Sequence, residues 1–263
     1  MPDQFSERRS SNRVALITGS AKRLGRAIAL GLAEDGFDLA LHYNSSADEV
    51  GMLCEEIEKL GRRTVILSAD LADLEATSAL VEKASTSLGP LSLLINNASL
   101  FEQDSLGSLT AESYRRLTDI NLAAPMFLMQ AFAAQASLPA EASIINMLDQ
   151  QMAAPSPAFF SYAVAKIGLD GATHLAAFEL APRIRVNGIA PGLVLPSWMQ
   201  SDEKHRSRQS MMPLGEGLGP DDIVKAVRYL VGARQVTGQV ITVDSGQSLI
   251  GPGNSKLSPG TKA

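Results

Sequence analysis

Short runs rich in valine, isoleucine and leucine alternate with longer segments in which apolar residues recur every three to four positions, from one end of the chain to the other. A brief apolar run bounded by turn residues reads as a strand buried on both faces, and recurrence at three to four reads as a helix with one apolar face. The strands predicted in this way are Val14–Thr18, Asp38–Tyr43, Thr64–Ser68, Leu91–Asn96, Ser143–Met147, Arg185–Ala190 and Val240–Val243. Between the first two, Leu24 to Asp35 sets Leu24, Ala27, Ile28 and Leu32 on one helical face, and Gly36 supplies the stop. Alternation throughout predicts the α/β class: a doubly wound, seven-stranded parallel sheet in three αβα layers, with ligands at the C-terminal strand ends.

Composition narrows the reading. The 263 residues are 45% hydrophobic, enough to bury a large core, and no linker divides residues 13–250, so one domain is expected there. Charged residues interrupt every apolar stretch before it reaches membrane-spanning length, and a net charge of −5 leaves no basic footprint for nucleic acid. A cytoplasmic protein with a small-molecule ligand is expected, with neither nucleic acid nor membrane as partner. Residues 1–12 lack the apolar core of a secretory signal and read as a disordered lead; residues 251–263, with Gly, Pro and Ser, read as a flexible tail. The single cysteine, Cys54, excludes an intrachain disulfide and falls with Val50, Leu53, Ile57 and Leu60 on an apolar helix face, as a buried core residue would. His42, His174 and His205 show no ligand spacing, so no metal site is assigned.

Two places carry chemistry. After the first strand, Thr18-Gly19-Ser20-Ala21-Lys22-Arg23-Leu24-Gly25 makes a tight turn into a helix N-terminus, where glycine lets the backbone approach a pyrophosphate and free N–H groups favour the anion. Glycines at such turns also serve simply to make the turn. Further along, Tyr162 and Lys166 stand four apart on a predicted helix, and therefore share a face. An ammonium near a phenol favours the phenolate, so Tyr162 is expected to relay a proton close to neutral pH.

With Asn96-Asn97-Ala98, Asn121, Tyr162/Lys166 and Pro191-Gly192 added to the glycine turn, the chain resembles the short-chain dehydrogenase/reductase family from Arg13 to Leu249. That resemblance implies a Rossmann-type fold, a nicotinamide cofactor, and a tetrad of Asn121, Asp149, Tyr162 and Lys166. It implies cofactor contacts at Gly19, Lys22, Arg23, Leu24, Gly25, Asn97, Ala98, Ser99, Tyr162, Lys166, Pro191 and Gly192, and at Asp70 and Leu71 near the adenine. The second strand ends Leu41-His42-Tyr43-Asn44-Ser45-Ser46, with no carboxylate before Asp48 to repel a 2′-phosphate. Lys22, Arg23, Asn44, Ser45 and Ser46 are therefore expected to favour NADP(H). The other reading of these residues is solvated loop charge and helix capping.

Three departures from the common family pattern occur together: Lys22-Arg23 in the turn, Ser99 after Asn97-Ala98, and Asp149 in place of serine. With His42-Tyr43 and Ile145-Asn146-Met147-Leu148-Asp149, they make the chain similar to the pteridine reductases and the related bacterial dihydromonapterin reductases. The likeness implies hydride transfer to a C=N bond of a pterin, with Ser99, Phe101, Asp149 and Tyr162 at the substrate and Phe101 stacked on its ring. It also implies that Lys166 lowers the Tyr162 pKa, that Asn121 holds a water, and that the protein is a homotetramer. An arginine common after His-Tyr in those reductases is missing here. A ketone reductase and a catalytically silent NADP-binding regulatory protein remain the alternatives. The segment from Leu193 to Leu218, with Trp198, Met199, Met211 and Met212, reads as a long loop, either a lid that refines substrate choice or a flexible surface insertion.

Overall fold

A computed structural model describes residues 13–153, 155–196, 201–215 and 217–250. The N-terminal lead 1–12, the tail 251–263, Trp198 and Met199 lie outside the described residues.

The first strand, β1 (Val14–Ile17), is wholly buried, and its alternate residues serve two cores. Ala15 and Ile17 belong to one hydrophobic cluster, Val14 and Leu16 to another on the opposite face. Period-two alternation with both faces covered is what a parallel sheet between helical layers requires. Seven strands form one sheet: β1, β2 (Asp38–Tyr43), β3 (Thr64–Ser68), β4 (Leu93–Asn96), β5 (Ser143–Met147), β6 (Arg185–Pro191) and β7 (Val240–Val243). Their order is β3-β2-β1-β4-β5-β6-β7, and all pairs are parallel. The chain reverses direction of travel across the sheet between β1 and β4, which opens a crevice at their C-terminal ends.

One layer of helices comprises α1 (Arg23–Glu34), α2 (Ala47–Lys59) and α8 (Pro220–Gly232), with Ile28, Leu32, Leu53, Ile57, Val227 and Leu230 packed on the sheet. The other comprises α3 (Leu74–Leu88), α5 (Ala124–Ala133) and α6 (Phe160–Leu180), which bring Leu80, Ala84, Leu128, Phe132 and Ala177 against the second face. Between α4 (Ala111–Thr118) and α5 the helix widens into a π turn, Asp119–Ala123. The predicted strands and first helix agree with this to within two residues at their ends.

The segment 193–218 is where expectation and structure differ. It carries a helix, α7 (Asp202–Gln209), with Asp202 and Glu203 in its first turn and Arg206 and Arg208 in its last, as the helix dipole favours. Ser201 caps it by accepting the Lys204 N–H. The buried Gln209 then donates to Leu193 O at 2.5 Å and Leu218 O at 2.9 Å, tying both ends of the segment together. The last short helix is α9 (Gln247–Ile250). Cys54 is half-buried, with its Sγ 2.7 Å from Thr64 Oγ1, so it borders the core instead of filling it. Among the described residues no helix is long and apolar enough to cross a membrane.

Candidate active site

At the C-terminal edge of β1 the backbone turns at Gly19, whose φ of +62° an L side chain rarely adopts. A Cβ on Gly25, one turn into α1, would collide with Gly19 O and lie 2.7 Å from Asn97 Nδ2. Both glycines are thus demanded by close approach. Lys22, in the N-cap position of α1, makes no side-chain cap, and the first turn holds no acidic residue. Free N–H groups at a positive dipole end suit an anion.

Neighbouring strands brace this turn. His42 Nδ1 accepts the Gly19 N–H at 3.1 Å, and the opposite ring nitrogen, Nε2, lies 3.1 Å from Ala69 O. The ring is buried at 1% exposure, and burial pushes its pKa down. It is therefore a neutral imidazole that donates from Nε2. Asn97 Nδ2 donates to Thr18 O and Gly19 O, while Thr18 Oγ1 accepts from both Asn97 N and Ala98 N. The His-Tyr pair ending the second strand was the available signal for His42, but its bond is to a backbone N–H, which leaves no spacing to read.

A cavity of about 610 Å³ runs from this turn across the strand ends. Gly19, Lys22, Arg23, Leu24, Gly25, Asn97, Ala98, Ser99, Phe101, Asp149, Tyr162, Lys166, Pro191 and Gly192 all line it. Sequence reasoning missed Met147, Leu148, Gln150 and Gln151 on its wall, and Leu193 to Leu195, which open the segment read as a lid or insertion, also line it. Asn44, Ser45, Ser46, Asp70, Leu71 and Asn121 do not line it. Asn44 and Ser45 are exposed, Ser46 precedes α2 without a side-chain cap, and Leu71 is buried in the core. Asp70 accepts the Ala72 N–H in a local turn, and the cap of α3 is Asp73. The two basic residues of the glycine turn already have partners: Lys22 Nζ lies 2.6 Å from Glu49 Oε1, and Arg23 Nη1 donates to Pro196 O at 2.8 Å.

Along α6, Tyr162, Lys166, Leu169, Thr173 and Ala177 recur at three to four residues and form the buried stripe. Tyr162 O–H donates to Asp149 Oδ2 at 2.7 Å, and Asp149 Oδ1 accepts the Gln151 N–H at 2.7 Å. Asp149 is no solvated loop carboxylate: burial pushes its pKa up, against the Gln151 and Tyr162 hydrogen bonds and the Lys166 charge that hold it down.

The expected effect of Lys166 on Tyr162 is not what the geometry gives. The Lys166 ammonium turns to Met147 O at 2.7 Å and stands 5.8 Å from the Tyr162 ring centroid. Burial first, then the Asp149 charge and hydrogen bond, raise the Tyr162 pKa well above 10. Tyr162 is a phenol at neutral pH, not a phenolate. Burial lowers Lys166 to about 8, and Asp149 acts to raise it.

Asn121 also departs from expectation. It lies on the π turn with no exposed surface, its Oδ1 accepts from Ser99 Oγ at 2.7 Å and Leu100 N at 3.1 Å, and its Nδ2 donates to Leu100 O and Leu117 O. Two donors and two acceptors exhaust a carboxamide, so its side chain has nothing left for a water. It instead holds Ser99 and Leu100 in place. Beyond them Phe101 stacks on Phe159 at 4.3 Å and 19° and meets Tyr162 edge-on at 4.8 Å and 88°.

The family model for the short chain dehydrogenases matches residues 13–207. An uncharacterized oxidoreductase of Methylorubrum extorquens is 34% identical over 89% of this chain and 97% of its own length. The 3-oxoacyl-[acyl-carrier-protein] reductase FabG of Staphylococcus aureus is 31% identical over 88% of this chain and 96% of its own. Among solved structures, FolM alternative dihydrofolate reductase 1 from Brucella canis, complexed with NADP, is 38% identical, superposes with a TM-score of 0.87, and matches over 90% of this chain and 94% of that one. The parallel seven-stranded sheet, the glycine turn and these matches give one answer: the chain belongs to the short chain dehydrogenase family.

Proposed function

We propose that this protein is an NADPH-dependent reductase of a pterin C=N bond, of the dihydropterin or dihydrofolate type. The observation that carries the reading is the Asp149 carboxyl, 2.7 Å from the Tyr162 phenol, in a cavity that Phe101 also lines. The likeness to an alternative dihydrofolate reductase at 38% identity supports it.

The cavity has the volume range of a cofactor site, and the uncapped start of α1 suits a pyrophosphate. Gly19, Leu24 and Gly25 would hold that group, with Asn97, Ala98, Ser99, Pro191 and Gly192 along the remainder and Lys166 at the ribose. Lys22 and Arg23 would meet the 2′-phosphate, beside Ser45 and Ser46. When bound, the reduced nicotinamide supplies a hydride.

The chain's own groups supply the proton. Tyr162 keeps its proton in the resting site because burial and Asp149 raise its pKa, and in this reading it gives that proton to a substrate nitrogen as hydride arrives at the adjoining carbon. Asp149 accepts the phenol's hydrogen bond in the resting site, and burial raises its pKa, so its carboxylate can take up a solvent proton and return it to the phenolate oxygen once Tyr162 has given its own proton away. Addition of hydride at carbon and this proton at nitrogen reduces the C=N bond. Phe101, on the cavity wall, would stack on a flat ring. A serine at 149 could polarise a carbonyl but could not deliver this proton.

A ketone reductase is the second reading, favoured by the 31% identity to a 3-oxoacyl reductase. Exposed apolar side chains on α5 and α6, among them Met126, Phe127, Ile167, Leu175 and Phe178, support a homotetramer built on these helices. Cytoplasmic residence is part of the same reading. NADPH consumption with dihydrobiopterin, dihydromonapterin or dihydrofolate, set beside a 3-oxoacyl thioester, tests the choice. Turnover confined to the thioester refutes the pterin reading.

A further inference from the structure

The helix that carries Tyr162 and Lys166 has no cap of its own. Phe159 occupies the N-cap position of α6 and makes no side-chain hydrogen bond to the first turn. The acceptor comes from the segment after β4, 57 residues away: Asp104 Oδ1 takes the Ser161 N–H at 3.0 Å. A carboxylate there satisfies an orphan donor and faces the positive end of the dipole. The main chain doubles the tie, with Asp104 N–H donating to Ala158 O and Phe160 N–H to Asp104 O, each at 3.3 Å, so that Asp104 and Phe159 form an isolated parallel bridge.

This cap is costly. Asp104 is 9% exposed, its second oxygen, Oδ2, is buried with no hydrogen-bond partner, and so is the hydroxyl of Ser161. An exposed Ser or Asp at position 159 would cap α6 without burying a carboxylate. What the long-range cap adds is a fixed relation between two segments. Asp104 lies three residues after Phe101 and is bridged to Phe159, the residue on which Phe101 stacks. Phe101 in turn meets Tyr162 edge-on. The contacts close a loop through Asp104, Phe159, Phe101 and Tyr162.

We propose that Asp104 is a positioning residue for this site: it sets the first turn of α6, and with it Tyr162 and the Phe159-backed ring of Phe101, in the geometry that reaction requires. The seating of a flat ring on Phe101 rests on the pterin reading; the placement of Tyr162 does not.

Three substitutions test it: Asp104→Ala removes the acceptor, Asp104→Asn keeps an oxygen for the Ser161 N–H, and Asp104→Glu keeps cap and charge but shifts the oxygens by one methylene. Because a misplacement of about 1 Å costs about 100-fold, Asp104→Ala is expected to lose about 30-fold or more in kcat on whichever substrate the wild type reduces. Its Kd for NADPH, followed by fluorescence, should stay within about twofold, since the glycine turn is untouched. Asp104→Asn should return to within about fivefold of wild type, and Asp104→Glu, which keeps the helix capped should Asp104→Ala not fold, should lose about tenfold in kcat. A wild type inactive on pterins but active on a ketone would refute the pterin reading, while loss of ketone kcat in Asp104→Ala and Asp104→Glu would still uphold the positioning role. Wild-type kcat in folded Asp104→Ala or in Asp104→Glu, with only the melting temperature lowered, would overturn it.

Discussion

Tyr162 and Asp149 share a 2.7 Å hydrogen bond between the first turn of α6 and the end of β5, in which the phenol donates and the carboxyl accepts. The direction of that bond decides how the site handles a proton. Burial and the carboxylate charge together hold Tyr162 in its protonated form, while burial pushes the pKa of Asp149 up and the Gln151 and Tyr162 hydrogen bonds and the Lys166 charge hold it down. The pair therefore retains the phenol proton in the resting site, and Lys166 contributes by restraining Asp149.

Lys166 gives the pH dependence. Its ammonium is lowered by burial to about 8, and Asp149 raises it. In the free enzyme, kcat/KM is expected to fall on an alkaline limb near pH 8 as Lys166 loses its proton. Asp149→Asn removes the charge that supports the ammonium, so the limb should move down by about half a pH unit or more. A limb that moves up, measured across pH 6 to 10, contradicts this placement of charge. Stability follows the same group with a definite sign. Unfolded Lys titrates at 10.5 and folded Lys166 at about 8, so the unfolded chain binds more protons between them and stability rises with pH across that window.

His42 makes the opposite end of the pH range informative. It must be neutral to accept the Gly19 N–H, and burial lowers its folded pKa below 6.5, against the raising influence of Ala69 O and Asp70. As pH falls below 6.5 the unfolded chain takes up the proton first, so stability is lost in that direction. His42→Asn keeps an acceptor near the Nδ1 position without a titrating ring. Its melting temperature should change less between pH 7 and pH 5 than that of the wild type; an equal change would locate the acid sensitivity elsewhere.

The close approach at Gly25 leads to a structural prediction. Gly25→Ala sets a methyl against Gly19 O and Asn97 Nδ2 and forces the turn open. A destabilisation of about 1–3 kcal/mol is expected, together with a raised KM for NADPH. Chemical denaturation and steady-state kinetics would check both, and an unchanged NADPH KM would mean that the cofactor does not approach this turn.

Lys22 and Glu49 test the proposed contact to a 2′-phosphate. Their 2.6 Å ion pair is exposed and competes with any phosphate for the same ammonium. Glu49→Gln is expected to lower the KM for NADPH about twofold and Lys22→Ala to raise it about fivefold, with little effect on NADH. Equal effects on the two cofactors would detach Lys22 from the 2′-phosphate.

The sheet was legible because β1, β2, β4 and β5 are apolar runs covered on both faces, and burial of that kind leaves a sequence trace. Helix α7 was read as loop because Asp-Glu-Lys-His-Arg-Ser-Arg-Gln has no apolar face, although its serine cap and its acidic start and basic end were in view. In the site, Tyr162 and Lys166 could be picked out by residue type and spacing, and Asp149 by the resemblance to the family pattern. What each side chain bonds to could not. Lys166 goes to the Met147 carbonyl, His42 to the Gly19 amide and Asp104 to the Ser161 amide, and a backbone partner has no signature in the sequence. Asn121 was found, but its saturation by Ser99, Leu100 and Leu117 depends on three-dimensional neighbours.

The account turns on what the Asp149 carboxyl does, and Asp149→Ser tests that most directly. The quantity to measure is kcat/KM for a dihydropterin divided by kcat/KM for a 3-oxoacyl thioester, in wild type and variant, with the NADPH Kd determined alongside. The ratio should fall by about 100-fold in the variant, as expected when a proton donor is lost, while the NADPH Kd stays within about twofold. An unchanged ratio, or equal losses in pterin turnover and NADPH binding, would contradict the account.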